Sequence, residues 1–226
     1  MSNAASPDSV RSTNRTTRWW WVRHAPVVVN DGRCYGQTDH PCNTEDPAAY
    51  RRLTQILPRE AAWVTSTLRR THETAAAIVA AGLPGPSAFP GLDVTVEADL
   101  AEQHFGDWQG RTYVSLAEEQ ADAYHRFWLA PAVERPPGGE SFVDLMARVA
   151  PTIRRLNERF VGRDIIAVAH GGTIRAAIAL ALDLAPEAAL AFAVDNVSVT
   201  RLDHFPSDAG GRGNEWRVNF TNQPPR

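Results

Sequence analysis

Two histidines and an arginine stand where chemistry is expected, each at the end of an apolar run. Arg23 and His24 end the run that begins at residue 19, and His170 follows residues 165–169. Both runs predict buried strands, and in an open α/β sheet the residues just past the carboxyl ends of strands line the ligand crevice. An imidazole can act as a nucleophile, and a guanidinium is suited to gripping a phosphoryl group. The sequence therefore predicts phosphoryl chemistry at one edge of a sheet.

The residues after His170 also favour an anion. Gly171 and Gly172 precede residues 173–182, which are nearly all apolar and predict a buried helix. Glycines allow backbone N–H groups to approach an anion closely, and the N-terminus of a helix carries a partial positive charge. We therefore take Gly171 as a candidate phosphate-binding residue beside His170.

Strands and helices alternate along the chain, and this order predicts how the side chains are positioned. Hydrophobic patterns and turn residues indicate strands at 19–23, 61–64, 93–97, 164–169, 196–202 and 216–220, and helices at 47–57, 69–81, 141–160 and 173–182. We expect an α/β fold, a three-layer α/β/α sandwich on a mainly parallel sheet. Residues 103–138 are less regular, and we predict that they form a small lid over the crevice. Residues 206–214 are predicted as a hairpin loop.

The composition is typical of one globular domain. Of the 226 residues, 43% are hydrophobic and 22% are charged. The net charge of −3 gives no argument for nucleic acid or an anionic membrane as a partner, and no apolar stretch approaches the ~20 residues of a membrane helix. The first 17 residues lack the apolar core of a secretory signal, so we expect a disordered tail, a single domain at 18–226 and a cytoplasmic location. No self-complementary pattern indicates an oligomeric state.

Two cysteines, Cys34 and Cys42, fall in a predicted loop. They could form one disulfide or contribute to a metal site, but a cytosolic compartment favours free thiols. The chain has no second cysteine pair at the spacing that zinc sites use. We therefore expect two free thiols, and the cysteine spacing gives no support for a zinc site.

Four strings carry more information together than any of them carries alone, because they occur in this order after predicted strands or at helix starts. They are Arg23-His24-Ala25-Pro26, Ser66-Thr67-Leu68-Arg69-Arg70, the stretch from Leu100 to Trp108 around Glu102, and His170-Gly171-Gly172. With them the chain resembles the histidine phosphatase superfamily, also called phosphoglycerate mutase-like, over nearly all of residues 19–203. Residues 32–39 and 138–141, followed by Asp144 and Arg148, resemble the branch of small bacterial phosphatases that includes the α-ribazole-5'-phosphate phosphatases.

The resemblance implies a role for each residue. His24 would be the nucleophile that becomes a phosphohistidine, and Glu102 would be the general acid. The phosphoryl oxygens would be held by Arg23, Arg70 and His170. Phosphoryl transfer spreads negative charge over three equatorial oxygens, and two guanidiniums are suited to stabilising it. The family needs no metal, and we expect no cofactor.

The chain departs from the family pattern beside His24. Ala25 and Pro26 stand where the family often has a glycine followed by an acidic residue, and Pro26 lacks a backbone N–H that could contact a phosphate. Asn30 lies where the family often has a phosphate-contacting asparagine, and it is a further candidate for phosphate binding.

Two adjacent arginines compete for one role. Neighbouring residues at a helix start point about 100° apart, so Arg69 and Arg70 cannot face the phosphate equally. The family's spacing from Ser66 selects Arg70.

Three functions are compatible with these residues. The first is a metal-independent phosphomonoester hydrolase for a small phosphorylated metabolite, with α-ribazole phosphate as one candidate. The second is a phosphoglycerate mutase, although known mutases carry a longer insertion near the lid. The third is a non-catalytic phospholigand-binding domain, against which the full set of two histidines, two arginines and a glutamate argues. We favour the hydrolase.

The aromatic side chains of the predicted lid have two interpretations. They form a hydrophobic cluster that holds the lid together, or they offer a surface against which a flat leaving group stacks. The residues concerned are Trp108, Tyr124, His125, Phe127 and Trp128.

Overall fold

The computed structural model of the chain describes residues 15–28, 31–88, 94–206 and 215–225. Its strands are β1 (Thr17–Arg23), β2 (Ala62–Thr65), β3 (Thr95–Val96), β4 (Asp164–Ala169), β5 (Val199–His204) and β6 (Trp216–Gln223). Its helices are α1 (Pro47–Ile56), α2 (Arg69–Ala80), α3 (Tyr113–Glu119), α4 (Ala121–Leu129), α5 (Phe142–Arg159), α6 (Gly171–Leu182) and α7 (Pro186–Leu190).

The six strands form one sheet in the order β3-β2-β4-β1-β5-β6. Strands β3, β2, β4 and β1 pair in parallel, whereas β5 is antiparallel to both of its neighbours, β1 and β6. This confirms the mainly parallel sheet. The register of β1 and β4 pairs Arg23 with Ala169, so the two strands end side by side at the same edge of the sheet.

The tryptophans of β1 show how the sheet separates two layers of helices. Side chains alternate between the faces of a strand, so Trp19 and Trp21 pack with α5 and α6, whereas Trp20 packs with α1 and α2. The rings of Trp19 and Trp21 stack with their centroids 4.7 Å apart. The three-layer α/β/α sandwich is therefore confirmed.

Residues 103–138 are more regular than the sequence predicts. They contain α3, α4 and a 3-10 turn at Gly106–Trp108. Helices of seven and nine residues show too little periodicity to be recognised in a sequence, and the same holds for the five-residue α7, which was not predicted. That residues 103–138 act as a lid stays a prediction.

Several predicted boundaries need correction. Strand β1 begins at Thr17, which is buried and donates its hydroxyl to the Phe160 carbonyl (3.3 Å), so the predicted tail is too long. Residues 1–14 of that tail, and residues 207–214 of the predicted hairpin loop, lie outside the described residues. Strand β5 starts at Val199 and not at residue 196, because Val197 has a left-handed backbone (φ 63°) that a strand cannot accommodate.

Both cysteines are free, as expected, and the structure buries both of them. None of the helices in the described ranges is long and apolar enough to cross a membrane.

Candidate active site

The two histidines follow neighbouring strands and meet at the sheet edge. His24 follows β1 and His170 follows β4, and the His24 N–H donates to the Ala169 carbonyl over 3.0 Å. Both side chains are fully buried, and their ring centroids lie 5.1 Å apart. The parallel register of the two strands therefore brings together residues that are far apart in the sequence.

The hydrogen bonds of His24 fix which nitrogen carries its proton. Nδ1 lies 2.7 Å from the Ala25 carbonyl, which can only accept, so Nδ1 is the donor. Nε2 then carries the lone pair, and it is buried with no hydrogen-bond partner among the described residues. Burial, together with the positive charges of Arg70 and Arg23, lowers the pKa of His24 to about 3. The imidazole is therefore neutral, with an uncommitted basic nitrogen.

His170 is held by two partners. Its Nδ1 accepts from Nε of Arg70 (3.3 Å), so its Nε2 carries the proton and donates to the Ser66 hydroxyl (2.8 Å). Burial, followed by the nearby His24 and Arg70, holds the pKa of His170 well below its usual range. In this arrangement His170 positions Arg70, and its own contact with a phosphoryl group stays a prediction.

The side chain of Arg70 lies inside the protein, and that of Arg69 does not. Arg70 is fully buried and donates to the carbonyls of Thr38 (2.8 Å) and Gly36 (2.6 Å). Arg69 is 59% exposed and pairs with Glu73 one turn along the helix. Burial lowers the pKa of Arg70. Of the two adjacent arginines, Arg70 is thus the one that lies beside His170.

Arg23 and Glu102 converge on the start of α6. A Cβ atom placed on Gly171 would lie 3.7 Å from Nε of Arg23 and 3.8 Å from Oε2 of Glu102. Arg23 donates from Nη1 to the Val194 carbonyl (2.6 Å), while its buried Nε has no partner in the described ranges. This nitrogen is a cationic donor with spare bonding capacity next to Gly171.

The Glu102 carboxylate lies at the N-terminus of α6. Its Oε1 accepts from the N–H groups of Gly172 and Gln103, both over 3.0 Å. An accepting oxygen fits there because the first N–H groups of a helix have no partner within the helix. Part of the anion site predicted at the two glycines is therefore occupied by Glu102 itself.

Taken together, these groups match a known family. A sequence model of a protein family, described as the histidine phosphatase superfamily (branch 1), matches residues 19–216. The chain belongs to this superfamily. The resemblance seen in the four strings is thus confirmed.

Two curated relatives are similar to most of the chain. The chain is 32% identical to the bifunctional protein Rv2228c of Mycobacterium tuberculosis over 184 residues, which are 79% of this chain and 48% of that protein. It therefore spans about half the length of that relative. It is also 32% identical to the glucosyl-3-phosphoglycerate phosphatase of the same organism over 224 residues, covering 92% of this chain and 95% of that protein.

Solved structures share the fold. The native mycobacterial glucosyl-3-phosphoglycerate phosphatase has a TM-score of 0.75 and 30% identity, over 92% of this chain and 100% of that one. The α-ribazole phosphatase from Shigella flexneri also has a TM-score of 0.75, over 91% of this chain and 96% of that one. At 24% identity, the second likeness shows the fold alone.

This histidine phosphatase superfamily member has polar contacts at the site that sequence reasoning missed. Ser66 served only as a spacing marker, although it directly follows β2 and bonds His170. Nη1 of Arg175 lies only 3.4 Å from a Cβ placed on Gly171. Arg175 could have been found from the sequence, because it is the one charged residue in α6. Asn196 donates to the His24 carbonyl (2.7 Å), and no local pattern marks it.

Two other predictions have different outcomes. Asn30 lies outside the described residues. Among the lid aromatics, Trp108 and Phe127 are buried with ring centroids 5.2 Å apart, whereas Trp128 is 51% exposed. The hydrophobic cluster that Trp108 and Phe127 form with Leu116 supports the structural interpretation for these two residues.

Proposed function

We propose that this chain is a metal-independent phosphomonoester hydrolase that acts through a phosphohistidine at His24. The observation that carries the proposal is the neutral His24 imidazole, whose Nε2 is buried without a described partner near two guanidiniums. A nitrogen lone pair near two guanidiniums is suited to attack on a phosphoryl group, because the guanidiniums attract the negative charge of that group.

In the first step, Nε2 of His24 attacks phosphorus and the ester P–O bond breaks. Arg23 and Arg70 stabilise the charge on the equatorial oxygens, since planar guanidiniums can donate to two oxygens at once. Glu102, in its protonated form, gives a proton to the leaving alkoxide. The products of this step are the free alcohol, phosphohistidine and the Glu102 carboxylate.

In the second step, the Glu102 carboxylate takes a proton from water, and the resulting hydroxide attacks the phosphohistidine. The N–P bond breaks, inorganic phosphate leaves and His24 returns to its neutral form. Glu102 is then protonated again and ready for the next cycle. One carboxyl group thus serves as acid and then as base.

The substrate class is a small phosphorylated metabolite. Glucosyl-3-phosphoglycerate is the first substrate to test, because the phosphatase named for it covers almost the whole chain at 32% identity. α-Ribazole phosphate is the second, on the resemblance of residues 32–39 and 138–141 to that branch.

The test is hydrolysis of para-nitrophenyl phosphate in the presence of EDTA by the wild type, His24→Ala and the control His204→Ala, since His204 pairs with Thr17 at the opposite end of β1 from His24. We expect activity in the wild type and the control and none in His24→Ala. An acid-labile phosphoenzyme should form in the same two proteins. Activity that requires a metal, or that survives in His24→Ala, would overturn the proposal.

Two further outcomes would favour the alternatives. Transfer of the phosphoryl group between positions of glycerate phosphates, without release of inorganic phosphate, would indicate a mutase. Phosphate-ester binding by a folded wild type that neither turns over substrates nor forms a phosphoenzyme would indicate a binding domain.

A further inference from the structure

Glu102 lies in a segment that has little regular structure of its own. It follows a 3-10 turn at Ala98–Leu100 and precedes another at Gly106–Trp108. Residues 101–105 belong to no helix or strand. The backbone of this acid must therefore be fixed by contacts from other parts of the chain.

Arg148 of α5 supplies such contacts. Its Nη2 donates to the Glu102 carbonyl (2.9 Å), and its Nη1 donates to the Asp99 carbonyl (2.6 Å). The same guanidinium binds the Glu140 carboxylate through both Nε (3.0 Å) and Nη2 (2.7 Å). A single side chain thus connects α5 to the backbone on both sides of Ala101.

Glu140 holds the residues that follow Glu102. Its carboxylate accepts from the His104 N–H (2.8 Å), and its own N–H donates to the His104 carbonyl (2.9 Å). Its carbonyl accepts from the Gln103 side chain (2.9 Å). The Arg148 and Glu140 side chains are only 20% and 18% exposed. Their bonds are therefore less screened than those of a surface ion pair.

We propose that the Glu140–Arg148 pair is a positioning device for the general acid, which keeps the Glu102 carboxylate at the start of α6. The inference rests on the proposed function of Glu102. Neither member of the pair touches the reacting atoms. Each acts by fixing the backbone from Asp99 to His104.

A positioning role and a purely structural role differ in one measurable respect. Loss of a correctly placed acid slows reactions with strongly basic leaving groups, which need a proton, more than those with weakly basic ones. A general loss of folding lowers both equally. We therefore compare glycerol phosphate, which releases an alkoxide, with para-nitrophenyl phosphate, which releases a stabilised phenolate.

The variants are Arg148→Met, Arg148→Lys and the control Arg155→Met. Lysine keeps the charge but cannot make the forked contacts of arginine. Arg155 also forms a two-bonded ion pair from α5, but with Glu97, and its hydrogen bonds within the described ranges do not reach residues 99–104. Arg155→Met therefore controls for the loss of an ion pair on this helix.

We expect Arg148→Met to lower kcat/KM for glycerol phosphate by about 10- to 100-fold and that for para-nitrophenyl phosphate by less than about threefold. Arg148→Lys should show the same selectivity with a smaller loss, and Arg155→Met should show none. If Arg148→Met does not fold, Arg148→Lys carries the test. Equal losses on both substrates, or no loss, in the folded Arg148 variants would overturn the inference.

Glu102→Gln separates this inference from the proposed function. If Glu102→Gln is selective against glycerol phosphate and the Arg148 variants are not, only the positioning role is wrong. If Glu102→Gln lowers kcat/KM equally for both substrates, the assignment of Glu102 as the general acid is wrong, and the positioning inference is wrong with it.

Discussion

Gly172→Ala perturbs the position of the Glu102 carboxylate by a known distance. Gly172 donates its N–H to Oε1 of Glu102 over 3.0 Å. A Cβ atom added to Gly172 would lie 2.5 Å from the same oxygen, whereas ordinary contacts begin at 3.4 Å. The oxygen must therefore retreat by about 0.9 Å, the difference between these two distances. The same Cβ would lie 2.8 Å from Cδ2 of the buried Leu145.

This displacement predicts a large loss of activity in a protein that still folds. A misplacement of about 1 Å costs on the order of 100-fold in rate, so we expect kcat/KM for glycerol phosphate to fall by about that factor. Crowding against Leu145 costs about 1–3 kcal/mol. The reduced entropy of the unfolded chain offsets about 0.4–1 kcal/mol of this cost.

The assay is a double-mutant cycle with Glu102→Ala. Gly172→Ala should cost about 100-fold in the wild-type background but less than about threefold in Glu102→Ala, because the carboxylate that the methyl displaces is then absent. Thermal unfolding of all four proteins controls for folding. If Gly172→Ala costs the same factor in both backgrounds, the methyl acts elsewhere and the reasoning is refuted.

Two other contacts of the site, and the pKa of His24, can each be tested by a substitution. Arg70→Lys should lower kcat/KM by about 100-fold, because lysine cannot reproduce the forked bonds of arginine. The control Arg69→Lys, at an exposed position, should change kcat/KM by less than about twofold. Equal losses in the two variants would contradict this. Ser66→Ala leaves the buried Nε2–H of His170 without its acceptor, so the free energy of unfolding in urea should fall by about 1–3 kcal/mol; an unchanged value would exclude that bond. The folded pKa of His24 lies below its unfolded value of 6.5, so the unfolded state binds the extra proton and stability is lost as the pH falls from 6.5 towards about 3. The slope of unfolding free energy against pH should therefore be smaller in His24→Ala by up to about 1.4 kcal/mol per pH unit, and identical slopes would refute the shift.

Much of the architecture could be predicted from local patterns. The apolar runs of β1 and β4 and the periodicity of α5 extend over enough residues to indicate their type. The three short helices α3, α4 and α7 could not be predicted, because tertiary packing stabilises them more than their own sequences do. Strand β5 was predicted three residues too early, since nothing in the sequence signals the left-handed backbone of Val197.

The sequence by itself determined which chemical groups the site contains and which strand ends carry them. Two imidazoles, two guanidiniums and a carboxyl group follow from residue types near the ends of recognisable elements, and the family assignment follows from their order. These are local properties, because a strand end and its neighbouring residues lie within a few positions of each other.

Only the tertiary structure decided what each group contacts. Ser66 and His170 are 104 residues apart, Glu102 and Gly172 are 70 apart, and Arg148 and Glu102 are 46 apart. Such pairs depend on sheet register and helix packing, which no local pattern encodes. The proton position on His170, the place of the Glu102 carboxylate and the clamp of its backbone by Arg148 therefore emerged only from the folded chain.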